Sequence, residues 1–194
     1  MLPDTGREFH VDIRGYSIVE LLTVMAVIVI LMAAASPSLI SVMIRNQSVA
    51  ELNRLVGAVN LTRHSAVQFA TTATLCGLKP TGRCGAPWDG KLTVFLDRNG
   101  NARLDGNDET ISFISSLDSD STVKWRSFQN RQYLQMTSQG YTRYQNGNFV
   151  VCPVTADVRQ ARQLVINVQG RTRVNHKVNK AGLPVDYRGR VLRC

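Results

Sequence analysis

The sequence predicts an α+β protein in which one long N-terminal helix is followed by a mainly antiparallel β head. Two observations carry this. Residues 21–44 form a run of 24 residues without a charge, and apolar positions at helical spacing continue beyond it. After Thr71 the pattern changes to short runs rich in aromatic and branched residues, separated by turn signals. A chain of 194 residues has room for one globular domain plus such an element.

The apolar run, LLTVMAVIVILMAAASPSLISVMI, exceeds the core of roughly 7 to 15 residues found in a secretory signal peptide. It meets the roughly 20 residues a helix needs to cross a bilayer, so residues 16–44 are expected to form a transmembrane segment. Glu20 stands inside its edge, where an isolated carboxylate is costly and calls for a cationic partner. Pro37 removes a helical hydrogen bond and is expected to kink or locally melt the helix. Val49, Leu52, Val56 and Val59 then recur at helical spacing, so the helix is expected to continue over residues 45–70 with one face against the head. Arg14 and Arg45 flank the run on both sides, and the leader sets Arg7 and Arg14 against Asp4, Glu8 and Asp12. The charge bias alone therefore leaves orientation open.

The segment Arg14-Gly15-Tyr16-Ser17-Ile18-Val19-Glu20-Leu21 resembles the start of type IV prepilins, in which a leader ends in Gly, an aromatic residue opens the mature chain, and Glu is its fifth residue. Tyr16 replaces the usual Phe. The resemblance implies a type IV pilin-like fold and a leader, residues 1–15, cut between Gly15 and Tyr16 by prepilin peptidase, with methylation of the new amine. It also implies that Glu20 pairs with the N-terminal amine of a neighbouring pilin. The protein would first be a single-pass inner-membrane protein with its head in the periplasm, and later part of a pilus at the cell surface.

The head is expected to span residues 71–194. Strands are predicted at residues 92–96, 110–114, 133–136, 149–152 and 164–168, with Asp89-Gly90, Asn99-Gly100 and Asn146-Gly147 as turns. Cys76, Cys84, Cys152 and Cys194 all follow the apolar run, as suits two disulfides in an exported domain, out of three connectivities. Cys76 with Cys84 and Cys152 with Cys194 is the favoured pairing. The first closes a short loop containing Gly77, Pro80 and Gly82, and the second tethers the C-terminus. No C-x-x-C pair exists, and only His64 and His176 follow the leader. Residues 97–109 carry side-chain oxygens at alternate positions, as a calcium loop does, but Ala102 stands where the sharp turn wants Gly and Asp108 where a bidentate Glu is needed. A polar hairpin is expected there, and neither metal nor cofactor is assigned.

Charge divides the head. Residues 45–123 hold eight basic and eight acidic residues, whereas residues 124–194 hold thirteen basic and two acidic ones. That asymmetry is the footprint of a polyanion-binding surface, although a dispersed basic face also keeps a protein soluble. Within the basic half, an apparent strand runs into Gly170-Arg171-Thr172-Arg173, followed by Lys177 and Lys180. Residues two apart on an extended chain share a side, so Arg171 and Arg173 are placed to clamp adjacent phosphates, with Gly170 allowing a sharp turn or close backbone approach. Arg188-Gly189-Arg190 forms an outer basic cluster. Phosphate-backbone contacts with little sequence preference are expected.

The prepilin start, the helix on a β head, the hairpin at Asp97 and the G-R-x-R element together resemble the FimT/GspH family of minor pilins and pseudopilins. In the FimT branch that element is associated with DNA binding in natural transformation, which implies DNA as a partner here. The alternatives are a structural minor pilin that primes assembly and a type II secretion pseudopilin. No G-x-S-x-G, H-E-x-x-H or phosphate-binding glycine loop occurs in the head, so no enzyme is expected.

Overall fold

The computed structural model describes residues 15–116 and 121–194, without the side chains of 34–38. The leader residues 1–14 and the Pro37 side chain lie outside the described residues. The chain divides into two compact units, Met1–Ser41 and Val42–Cys194.

In the first unit, helix α1 (Ile18–Gln68) starts two residues later than Tyr16, where the sequence placed its beginning. Ser17 explains the shift. Its hydroxyl accepts from the Val19 amide at 3.3 Å and its carbonyl from the Leu21 amide at 3.1 Å, so it caps the helix rather than joining it. Glu20 lies in the first turn, where the helix dipole favours a negative charge. The helix is continuous at position 37, so of the kink or local melting expected there the melting is not seen. Its large apolar side chains from Ile18 to Met32 are exposed. Among the described residues no helix is long and apolar enough to cross a membrane, so the span expected over residues 16–44 is not shown.

The second unit holds the core. Here α1 buries Ser48, Glu51, Leu52, Leu55, Ala58, Val59, Thr62, Ser65 and Ala66, a stripe spaced by three and four. This differs from the predicted face: Val49 is exposed and Val56 is only partly buried. Glu51 and Arg54 occupy the stripe as a buried ion pair one turn apart, with Arg54 Nη2 also donating to the Trp88 carbonyl at 3.0 Å. Mutual neutralisation is what allows two charges into the core.

Two antiparallel sheets follow. The first contains β1 (Ala73–Leu78), β2 (Cys84–Ala86), β3 (Leu92–Leu96), β4 (Glu109–Ile114) and β6 (Leu134–Met136). β1 has β3 along one edge and β6 then β2 along the other. β1 and β3 are almost wholly buried, which is why they read as continuous apolar runs. The second sheet has the order β5 (Thr122–Ser127), β7 (Gly147–Cys152), β8 (Arg162–Ile166), β9 (Thr172–Asn175). Its inner face, Val123, Trp125, Phe149, Val151, Leu164 and Ile166, joins the core with the helix stripe. Trp88, Trp125 and Phe149 stack there with centroids 4.3 to 5.4 Å apart.

The strands the sequence did not predict are β1, β2, β5 and β9. Residues 167 and 168, expected to end a strand, instead form a turn. Asn146-Gly147 is also not the tip of a hairpin, because Gly147 already pairs with both β5 and β8. A Cβ at Gly147 would sit 2.2 Å from the Arg126 carbonyl, so glycine here admits a close approach of β5 rather than a turn. Two disulfides are formed, Cys76–Cys84 and Cys152–Cys194.

Candidate nucleic-acid interface

The outer face of the second sheet is built by strict alternation. On β5, Val123 and Trp125 point into the core, which turns Lys124 and Arg126 outward. Register then sets their neighbours. Lys124, Val150, Gln163 and Asn175 lie in one row across the four strands, and Arg126, Asn148, Val165 and Arg173 in the next. Arg126 and Arg173 thus stand at opposite edges of one row, three strand spacings or about 14 Å apart.

Arg171 and Arg173 are both exposed, with the half-buried Thr172 between them. Both line a shallow depression of about 500 Å³ with Val165, Asn167 and Thr172. The turn that presents them is held by three hydrogen bonds: Gly170 N to Asn167 O at 3.0 Å, Asn167 N to Arg171 O at 3.1 Å, and Arg171 N to the Asn167 side chain at 2.9 Å. Gly170 is buried and has φ +70°. A Cβ there would meet the Gly140 carbonyl at 2.6 Å, so it positions the arginines by close packing and offers a ligand little surface of its own.

The same turn recurs. Thr137 with Gly140, Asn179 with Gly182 and Asp186 with Gly189 repeat all three bonds, and Asp97 with Gly100 repeats two of them. The signal in the sequence is an oxygen-bearing side chain three residues before a glycine, which adjacent turn dipeptides do not reveal. At residues 97–108 the Asp97 carboxylate is occupied by the Thr74 hydroxyl, the Gln135 amide and the Asn101 and Ala102 backbone amides. Asn101 and then Asn99 donate their side-chain amides to Asp105 and hold its carboxyl below the ordinary aspartate range. Among the described residues no cluster of three or more acidic, histidine or cysteine ligands is found.

Beyond β9 the chain returns across the outer face as an arm. Asn175 links Gln163 at 2.7 Å to the Val185 carbonyl at 2.7 Å, and Gln163 donates to Asn148 at 3.2 Å. Pro184, Val185 and Leu192 are buried, and the Cys152–Cys194 bridge fixes the arm's end. A cleft of about 700 Å³ opens between sheet and arm, lined by Lys124 and Arg126 on β5 and by Tyr187, Arg188, Arg190 and Arg193 on the arm. Its acidic residue, Asp186, pairs with Arg190 at 2.8 Å. Burial pushes the Asp186 carboxyl up, but donors from Arg190 and Arg188 outweigh it and leave the group below the ordinary aspartate range.

Of the residues singled out in the sequence, Arg171 and Arg173 share the depression and Arg188 and Arg190 share the cleft. Lys177 and Lys180 are exposed on the arm but line neither. Sequence reasoning missed Lys124, Arg126 and Arg193. A K-x-R pair alternating with Val and Trp was the available signal for the first two. Gly15 and Tyr16 precede α1, and Tyr16 is exposed.

The architecture has a counterpart among known structures. The type IV minor pilin FimU of Pseudomonas aeruginosa PAO1 superposes with a TM-score of 0.52 at 17% identity, over 67% of this chain and 89% of that one. The minor pseudopilin EpsH from the type 2 secretion system of Vibrio cholerae gives a TM-score of 0.47 at 9% identity, over 66% and 95%. At such identities the likeness to FimU is one of fold. No curated protein matches the chain. A family model described as Type II transport protein GspH matches residues 51–170, more than half of the chain. It covers the helix stripe from Glu51 onward and both sheets up to the Gly170 turn, and the chain therefore belongs to the GspH family.

Proposed function

We propose that this protein is a minor type IV pilin that binds DNA on the outer face of its second sheet and supports DNA uptake in natural transformation. The observation that carries this is the gathering of cations on one surface: Arg171 and Arg173 at one edge, Lys124 and Arg126 at the other, and Arg188, Arg190 and Arg193 on the arm above. Guanidinium groups bind phosphate oxygens in bidentate fashion, and a surface with few base-reading partners favours the backbone over sequence. This basic arm lies beyond the family match, which ends at residue 170. Family membership therefore accounts for the scaffold, and the arm for the proposed specialisation.

Processing and assembly follow from the N-terminal segment. Prepilin peptidase would cut between Gly15 and Tyr16, the apolar helix would sit in the inner membrane before assembly, and Glu20 would meet the terminal amine of another pilin. The all-round exposure of apolar side chains from Ile18 to Met32 supports this, since such a helix is stable only in lipid or among its own kind.

The test is titration of the full chain in detergent with duplex DNA over a range of salt. Affinity should fall steeply with salt, because bound phosphates release counterions. Replacing Arg171 and Arg173 with Gln should remove most of the binding and lower the logarithmic salt slope by about two. In cells the same variant should assemble pili and fail to take up DNA. Parent-like DNA binding by the variant would reject the assignment. A second function, in type II secretion, is favoured by the description of the matching family, and intact DNA uptake with impaired secretion would establish it.

A further inference from the structure

From the cleft between the sheet and the arm we infer a second mode of binding: it takes an unpaired stretch of a single DNA strand, with Tyr187 as the stacking platform. This rests on the DNA reading above and goes beyond it in naming the form of the ligand. Three features carry it. First, the cleft has the size of a small-molecule site, in the range of roughly 300 to 1,000 Å³. A duplex lies across such an opening, whereas a base swung out of a flexible strand enters it. Second, the lining is predominantly basic. Lys124, Arg126, Arg188 and Arg193 form no ion pair among the described residues, and the single carboxylate, Asp186, is already held by Arg190 and two turn amides. Third, Tyr187 is 72% exposed at this basic wall, and the Arg188 guanidinium lies 5.2 Å from its ring centroid.

An aromatic ring costs free energy in water and is placed at the tip of the Asp186–Arg190 turn, a position that any polar residue would satisfy. Trp125 also lines the cleft, but it cannot play the same part. It is buried in the core and its indole N–H is committed to the Arg131 carbonyl at 2.8 Å. An exposed ring flanked by unpaired cations is the arrangement by which proteins hold single strands without sequence preference: bases stack on the ring while the cations follow the phosphates. The adjoining guanidinium polarises the stack further. The arm brings this ring into one cleft with Lys124 and Arg126, and it is held on the sheet by Cys152–Cys194, the Asn175 bridge and the burial of Pro184, Val185 and Leu192.

The experiment compares a short fluorescein-labelled oligothymidylate with a hairpin duplex of equal phosphate number, each titrated with the full chain in detergent. Tyr187→Ala should weaken the oligothymidylate on the order of tenfold and change duplex binding by less than about twofold, while Tyr187→Phe should behave as the parent. Because Tyr187 is exposed on a turn, the Ala variant is expected to fold, and an unchanged melting temperature verifies this. Parent-like oligothymidylate binding by Tyr187→Ala, or equal weakening of both probes, would overturn the inference while leaving the duplex reading intact. Failure of the unaltered chain to bind either probe would overturn both.

Discussion

At the level of single residues, two charged groups separate what spacing reveals from what surroundings reveal. Glu51 and Arg54 stand three apart on the helix, a spacing that pairs them on one face, but periodicity alone assigned that face to Val49 and Val56. The pair is buried because Trp88 lies over it and accepts from Arg54, a contact across 34 positions of sequence. Asp186 offers a measurable consequence. Its folded carboxyl titrates lower than an unfolded one, so its contribution is fully present above the unfolded value and is lost as pH falls through the folded value. Hydrogen exchange corrected for intrinsic rates should show the Arg188 and Arg190 amides losing protection below about pH 4. The amide of Arg171, held in the same way by the uncharged Asn167, should not respond.

At the level of elements, the recurring turn does most to shape the basic half. Each copy needs a side-chain oxygen to accept from a backbone amide and a glycine at positive φ, as at Gly170, Gly182 and Gly189. The turns carry Arg171, Lys180, Arg188 and Arg190 to the surface. What keeps the arm on the sheet is partly covalent, and a double Cys152→Ser, Cys194→Ser variant tests this. It should lose roughly 2 to 4 kcal/mol of stability by denaturant unfolding, since the bridge spans 42 positions. Its arm should also become open to proteolysis around Asn179 to Leu183, whereas a Cys76→Ser, Cys84→Ser variant, with its short loop, should keep the arm protected.

On the scale of the whole molecule, the net charge of +9 combines an excess of two acidic residues in 1–44, a neutral stretch over 45–123 and an excess of eleven basic residues in 124–194. Folding places much of the basic half on one side of one sheet. Lys124 and Arg126 lie far in sequence from Arg171 and Arg173 yet share their face. Replacing Lys124 and Arg126 with Gln should therefore weaken duplex binding several-fold and lower the logarithmic salt slope by about two, comparable to the arginine pair, as read by anisotropy titrations at several salt concentrations. An unchanged slope would mean that β5 is only a solvated edge. The GspH membership and the likeness to FimU concern the scaffold beneath this face, where the core residues lie.

The sequence by itself determined the α+β class, the apolar N-terminal stretch, the helix continuing into the head, the runs that became β3, β4, β6, β7 and β8, and the basic character of residues 124–194. These are local or summed properties, written in periodicity and composition. It did not show β5 or β9, whose residues are polar on alternate positions and become strands only by pairing with β7 and β8. Nor did it show the cleft. Side chains from positions 124 to 126 and 187 to 193 meet there because strand register, the Asn175 bridge and the terminal disulfide fold the arm back over the sheet. Which cations act together is thus a matter of long-range pairing, which only the tertiary structure decides.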